Sequence, residues 1–380
     1  MGFSWIWTKR VEADGTVRSP QQDNPANTNR TCVNFRGLWD EGYVPFISIV
    51  IPVRNESATL PSLLQELILQ HYPKDRYEIV VADGVSNDGT AVLVKELALT
   101  ASVQVRLVTN WAIRSGGGRN VGVQTAKGDI IVFIDGHCSI PSRLLLQNTA
   151  SLMAMTGAQC LSRPQPLVAA TSSRFGAVVA NVRASWLGHG RDSLIYDMER
   201  SGFVDPTTSG ASYLRAVFDR VGYYDESFDA CEDCDFNLRV KKAGMLAYTD
   251  PSLAVNYVPR GSIRGLWKQM VRYGRGRIRL MRKHPDYLSL SQLAPAVLVA
   301  CAVGLIPALY LPAVVGWIPA TVVASFTMLI LLCSLQLSLR HGVDHLWRGP
   351  LAFVCIYGGL GVGMLLEVAS RKQRRVPSLA

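Results

Sequence analysis

The sequence is most informative where charge is missing. From Leu293 to Leu337 there is no Asp, Glu, Lys or Arg, and from Arg260 to Lys283 there is no acid. An uncharged run of that length exceeds the roughly 20 residues a helix needs to cross a bilayer, which excludes a chain that is soluble throughout. Pro307, Pro312, Gly316 and Pro319 interrupt the run, so it reads as two spans joined by a turn near Pro312 to Pro319. A second apolar segment, Pro350 to Leu366, is shorter and rich in glycine, and predicts a third span or a re-entrant helix.

Cysteine is sparse, and three of the eight (Cys301, Cys333, Cys355) fall inside the apolar segments, which excludes a disulfide framework. Cys231 and Cys234 form a C-x-x-C without a second pair at zinc spacing, and read as small residues around an acidic pair. No cleavable signal peptide is expected, because MGFSWIWTKR places its charges after a very short apolar stretch. Ile6 breaks the myristoylation pattern. The polar part of the chain is therefore expected on the side of the membrane where it is made.

The chain carries a net charge of +10, and the excess sits in one place. Nine basic residues lie between Arg260 and Lys283, and outside that stretch the two signs nearly balance. Interleaved with Trp267, Met270, Tyr273, Ile278 and Leu280, they predict amphipathic helices on an anionic membrane face rather than a nucleic-acid site. By the positive-inside rule, the preceding domain then faces the cytoplasm, at the cytoplasmic (inner) membrane. The tail residues Arg371, Lys372, Arg374 and Arg375 conflict with three full spans, which would place them on the opposite side.

The remainder predicts an α/β fold. The apolar β-branched runs IVIPV, EIVVAD and DIIVFID alternate with helical spacing at Leu60 to Leu69 and Ala91 to Leu99. Such runs become buried parallel strands whose carboxyl ends carry the functional groups. The expected organisation is an N-terminal extension (1–45), a catalytic α/β domain (46–259), basic interfacial helices (260–290), a membrane region of two to three segments (291–370) and a basic tail (371–380).

Four polar clusters stand in order: Asp83 in VADGVSNDGT, Asp135 and His137 in FIDGH, Glu232 and Asp233 in CEDCD, and Gln269, Arg272 and Tyr273 in QMVRY. Together they outline a site for transfer from a sugar nucleotide. A diphosphate leaving group calls for a divalent cation, and Asp135 and His137, one residue apart at a strand end, offer a hard oxygen and an imidazole nitrogen suited to Mn2+ or Mg2+. The Asp83 carboxylate, following its own strand, could accept hydrogen bonds from a base or a ribose.

From Phe46 to Lys283 the sequence resembles the family 2 glycosyltransferases, inverting enzymes of the GT-A fold. In SIVIPVRNES, Pro52, Arg54 and Glu56 match the family's uridine-contacting positions. The resemblance gives Asp83 and Asp88 nucleotide roles and implies that Arg119, in GGGRNVGVQTAKGD, lies near the nucleotide or its diphosphate. FIDGH stands where the family usually has D-x-D, with His137 as the departure. The E-D pair falls on Glu232 and Asp233, and the match makes Asp233 the base. QMVRY is similar to the Q-x-x-R-W element of membrane synthases, with Tyr273 in place of Trp.

Inversion implies a single displacement, with Asp233 taking the proton of the acceptor hydroxyl, Arg272 stabilising the pyrophosphate and Gln269 lining the acceptor channel. The resemblance favours a UDP-sugar donor and a membrane-bound, polyprenyl-diphosphate-linked acceptor in exopolysaccharide or glycan synthesis, as in succinoglycan-type enzymes. Two alternatives are a processive polysaccharide synthase and a catalytically inactive nucleotide-sugar-binding scaffold.

Overall fold

The computed structural model describes residues 42–168, 173–188, 194–208, 210–287, 290–308 and 313–370. The N-terminal extension up to residue 41, the Pro312 end of the predicted turn and the tail 371–380 lie outside the described residues.

The first half is built as its apolar runs require. Strands β1 (Ile47–Val53), β2 (Tyr77–Asp83), β3 (Gln104–Thr109) and β4 (Ile130–Phe133) alternate with helices α1 (Leu60–Ile68), α2 (Thr90–Thr100) and α3 (Ser115–Thr125). All four strands are parallel, in the order β3-β2-β1-β4. Every residue of β2 and β4 is buried, and all but one of β1, because helices cover both faces. Two polar side chains inside the sheet satisfy each other: Ser48 donates to Glu78 at 2.7 Å, and Arg106 pairs with the second Glu78 oxygen.

The second half adds β5 (Cys138–Ser139), α4 (Leu145–Thr156), β6 (Cys160–Ser162), α5 (Arg174–Ala184), β7 (Gly202–Val204), β8 (Gly210–Leu214), α6 (Arg215–Val221), α7 (Glu232–Lys242), β9 (Ala247–Thr249) and β10 (Asn256–Tyr257). Antiparallel pairing of β8 with β4 extends the sheet to eight strands, β3-β2-β1-β4-β8-β6-β9-β7, while β10 and β5 pair separately.

Four helices follow: α8 (Ile263–Lys283), α9 (Ala294–Ala308), α10 (Ala313–His341) and α11 (Asp344–Ala369). Two segments are long and apolar enough to cross a membrane, Gly316–His341 and Asp344–Ala369. Two expectations change here. Pro319 lies inside α10 rather than in a turn, and the last segment is not short, since α11 starts before Pro350 and runs for 26 residues. α10 faces outward along much of its length, with Trp317, Ile318 and Leu339 exposed; lipid, not protein, suits such a surface.

The chain does not divide cleanly into a soluble domain and a membrane region. A second core unites Val178, Val179 and Val182 of α5 with Leu266 and Met270 of α8, Ile330 and Cys333 of α10, and Phe353, Ile356 and Leu360 of α11. α8 is thus wedged between the α/β domain and α11, instead of resting on a membrane face along its whole length. Its charges follow from this position. Arg279 grips Glu367 of α11 through two hydrogen bonds of 2.8 and 3.2 Å, and Lys283 reaches Asp225 and Asp235. At the other end of α11, Asn181 of α5 donates to His345 at 3.0 Å.

Glycines set the α8–α11 distance. A Cβ on Gly274 would overlap the Leu360 carbonyl, and one on Gly363 would overlap the Val271 carbonyl. Replacing Gly363 by Val should therefore force these helices apart and lower stability by about 1–3 kcal/mol, read as a fall in the thermal midpoint of the detergent-solubilised protein.

Candidate active site

A cleft of about 470 Å³ opens at the carboxyl ends of β1 and β4, where an open α/β sheet places its ligands. It gathers Pro52 from the end of β1, Arg54 and Glu56 from the loop that follows, and Asp135 and His137 from the loop after β4. Opposite them stand Glu232 and Asp233 at the start of α7, and Gln269, Arg272 and Tyr273 of α8. Residues from four distant segments of the chain therefore meet in one space.

Arg119 also lines the cleft and is its electrostatic hinge. α3 lies close on β1 because of its glycines: a Cβ on Gly118 would press on Pro52, and one on Gly122 would overlap Val50. That approach sets the Arg119 guanidinium beneath the cleft, 2.5 Å from Glu232 Oε1 and 3.4 Å from Asp135 Oδ1, over the ring of Tyr224. Burial by itself would lower the Arg119 pKa, but Glu232 and then Asp135 hold it above its ordinary value. The Asp135 carboxyl, which burial would raise, is brought below its ordinary value by Arg119 first and His137 next.

Glu232 and Asp233 differ in environment. Glu232 is buried against Arg119, whereas Asp233 is exposed to the cleft. The turn that presents them has Cys231 in the left-handed region at φ 65°. Asn55, Val85 and Ile113 share that conformation, in the loops that follow β1, β2 and β3, and Ile113 and Cys231 line the cleft. For the β-branched Val85 and Ile113 this is strained backbone, of the kind that surrounding structure must impose.

The His137 ring is oriented on two sides. Its Nδ1 lies 3.2 Å from Glu56 Oε1, and Tyr257 meets it edge-on with ring centroids 5.0 Å apart. Burial would raise the Glu56 carboxyl, yet the hydrogen bond with His137 brings it below its ordinary value. An ionised Glu56 accepts, so Nδ1 carries the proton and the lone pair of a neutral ring is on Nε2, which is buried without a hydrogen-bond partner. A carboxylate behind the imidazole is the arrangement that orients metal-binding histidines. Among the described residues no group of three His, Cys, Asp or Glu could hold a metal ion. An oxygen from Asp135 and the free Nε2 of His137 are donor types that a divalent cation accepts, but two ligands alone would need others from outside the protein.

Asp83 and Asp88 do not line the cleft. Asp83 is buried at the end of β2, where one carboxylate oxygen accepts from Ser86 N at 3.0 Å and the other has no partner. Asp88 accepts from Ser57 N and from the hydroxyl and amide of Thr90, which hold its pKa below the usual carboxylate range and tie the loops after β1 and β2 together. Its visible task is loop closure. On α8, Gln269 donates to Tyr273 Oη at 2.9 Å and to Tyr257 Oη at 3.4 Å, and Arg272 is more than half exposed.

Several cleft residues have no counterpart in the sequence reading. Tyr257 joins His137 to α8 and also carries the Arg183 guanidinium over its ring, 5.6 Å from the centroid. Arg260 and Arg277, counted by sequence with the membrane-facing charges, line the cleft instead. The pair Cys231 and Cys234, read as bland, brackets the acidic pair in the cleft wall. The NYVPRG segment that leads into the basic run is the signal that could have pointed to Tyr257 and Arg260.

A profile described as "Glycosyl transferase family 2" matches residues 48–222. The dolichyl N-acetyl-alpha-D-glucosaminyl phosphate 3-beta-D-2,3-diacetamido-2,3-dideoxy-beta-D-glucuronosyltransferase of Methanococcus voltae is 29% identical over 259 residues, 66% of this chain and 78% of that protein. The succinoglycan biosynthesis protein ExoA of Rhizobium meliloti is 31% identical over 261 residues, 67% of this chain and 76% of that one. The chain belongs to glycosyltransferase family 2. As a family 2 glycosyltransferase it shares the GT-A fold with the solved mannosyltransferase PcManGT from Pyrobaculum calidifontis, determined in complex with GDP-Man and Mn2+. The TM-score is 0.59 at 19% identity, covering 88% of this chain and 90% of that one.

In this glycosyltransferase the Arg119 bridge can be tested directly. Arg119→Met would leave two carboxylates without their cation and should cost about 3–5 kcal/mol, while the double variant with Glu232→Gln should lose less, as read by chemical denaturation. Because the folded Asp135 carboxyl titrates below its ordinary 3.8, its stabilisation is present above that pH and is lost as pH falls through the folded value. In Arg119→Met the acid-side loss should begin at higher pH.

Proposed function

We propose that the chain is a metal-dependent inverting transferase, moving a sugar from a nucleoside diphosphate donor, UDP by preference, to a membrane-associated polyprenyl-diphosphate-linked glycan. The observation that carries this reading is the meeting of Asp135 and His137, Glu232 and Asp233, and Gln269 and Arg272 in one cleft beside the apolar helices. The succinoglycan and dolichyl names of two relatives support the acceptor class.

Each residue then has a task that its surroundings allow. Pro52, Arg54 and Glu56 border the nucleotide, and the unpartnered Asp83 oxygen, buried behind the cleft wall, would meet the base or ribose once the loops after β1 and β2 part. Asp135 and His137 would hold a divalent cation, which when bound would supply positive charge to the departing diphosphate. Asp233, exposed to the cleft, takes the proton of the acceptor hydroxyl while the new bond forms at the anomeric carbon and the bond to the diphosphate breaks. Glu232, held by Arg119, positions the turn that carries Asp233. Arg272 meets the departing charge, and Gln269, fixed between two tyrosines, borders the acceptor. The domain lies at the cytoplasmic face of the inner membrane, with the outward apolar side of α10 in lipid.

Nucleoside diphosphate release from a panel of UDP- and GDP-sugars, measured with and without Mn2+ and with lipid-linked acceptor, tests this function. One donor should support metal-dependent release, and Asp233→Asn should slow it about 10²- to 10⁴-fold with nucleotide binding unchanged. Tight nucleotide binding without release from any donor would replace the enzyme with a binding scaffold. In the presence of UDP, His137→Ala should weaken Mn2+ binding roughly tenfold or more, followed by the spin resonance of free Mn2+.

A further inference from the structure

We propose that a second groove on α8, adjoining the catalytic cleft, holds the phosphate or diphosphate of the acceptor lipid; this rests on the lipid-linked acceptor proposed above. The groove, of about 250 Å³, lies between α8 and the Asp229–Ala230 loop. Lys268, Arg272, Arg275 and Arg279 line it, spaced by four, three and four residues, so all four project from one face of the helix.

Charge balance singles this groove out. Most other cations of α8 are committed to the protein: Arg277 is buried, Arg282 bonds the Glu367 carbonyl and Lys283 holds Asp225 and Asp235. In the groove itself, Arg279 is paired with Glu367, and Arg272 stands 3.8 Å from Asp229. Lys268 and Arg275 are exposed and make no ion pair among the described residues. Two cations facing one concave space without an acid of their own match a phosphate or diphosphate anion.

Position assigns the anion to the acceptor. A Cβ on Gly276 would sit 2.5 Å from Ala230 O, so the loop lies directly on the backbone of α8 and walls the groove. That same loop continues into Cys231, Glu232 and Asp233, and the groove shares Asp229, Ala230 and Arg272 with the cleft. A sugar attached to a diphosphate held here extends toward Asp233. On the opposite side Trp267 borders the groove and packs on Gly358 of α11, with the exposed Val354 one turn earlier. An apolar path for the lipid chain thus begins at the groove's edge.

The probe is undecaprenyl diphosphate, bound to the full chain in phosphatidylcholine nanodiscs and followed by native mass spectrometry. Lys268→Ala with Arg275→Ala should weaken binding roughly tenfold to a hundredfold, and Lys268→Arg with Arg275→Lys should restore it. With lipid-linked acceptor the alanine pair should raise the acceptor KM by a similar factor and leave kcat and donor KM unchanged. Equal binding by the alanine pair and the parent overturns the groove, as does displacement of undecaprenyl diphosphate by phosphatidylglycerol at equal mole fraction, which would assign it to bulk headgroups. Donor turnover by the parent is scored separately. Its absence would sink the transferase reading, whereas intact turnover with unaltered lipid binding would sink the groove alone.

Discussion

The site depends on one buried guanidinium. Arg119 bonds Glu232 and reaches Asp135, and so couples three segments that approach the cleft from different parts of the sheet: α3, the loop after β4 and the first turn of α7. Two carboxylates facing one cleft would repel each other and resist ionisation without a cation between them. The glycines of α3 exist for the same end, since Arg119 can lie beneath the cleft only if its helix rests directly on β1. The bridge also divides the labour of the acidic pair, neutralising Glu232 and leaving Asp233 turned to the cleft.

The cleft lies on a seam between two cores. The side of the cleft formed by the loops after β1 and β4 rests on the large core of the parallel sheet, while Gln269, Arg272 and Tyr273 rest on the second core, which α8 shares with α5, α10 and α11. Tyr257 bridges the two, touching His137 on one side and Gln269 on the other. The apolar helices therefore do more than attach the protein to lipid; they fix the position of one wall of the site.

Much of this was legible in the sequence, for physical reasons. Parallel strands covered on both faces must be continuously apolar, so β1, β2 and β4 announced themselves, along with Asp83 and Asp135 at or just beyond their ends. The D-G-H and C-E-D-C-D clusters were readable because their chemistry is local. What escaped depends on pairs far apart in the chain. Arg119 and Glu232 are separated by 113 residues, and no local pattern relates them. Asp88 looked like a nucleotide ligand because its loop resembles one, but its oxygens are occupied in holding that loop. The segment that forms α5 gave no sequence signal that was read, and nothing in it shows that Val178, Val179 and Val182 pack with α8, α10 and α11. The length of α11 was underread because Arg348 and Pro350 break the apolar pattern without breaking the helix.

The packing of α8 on α11 bears on the order in which this protein becomes itself. α11 is the last of the described helices, so the face of α8 that includes Gly274 and Met270 has no partner while the intervening residues are being synthesised. The parallel half of the sheet, with its local strand–helix–strand contacts, can assemble early. The wall that α8 supplies waits, leaving a nascent chain whose parallel sheet is formed before the cleft has its second side.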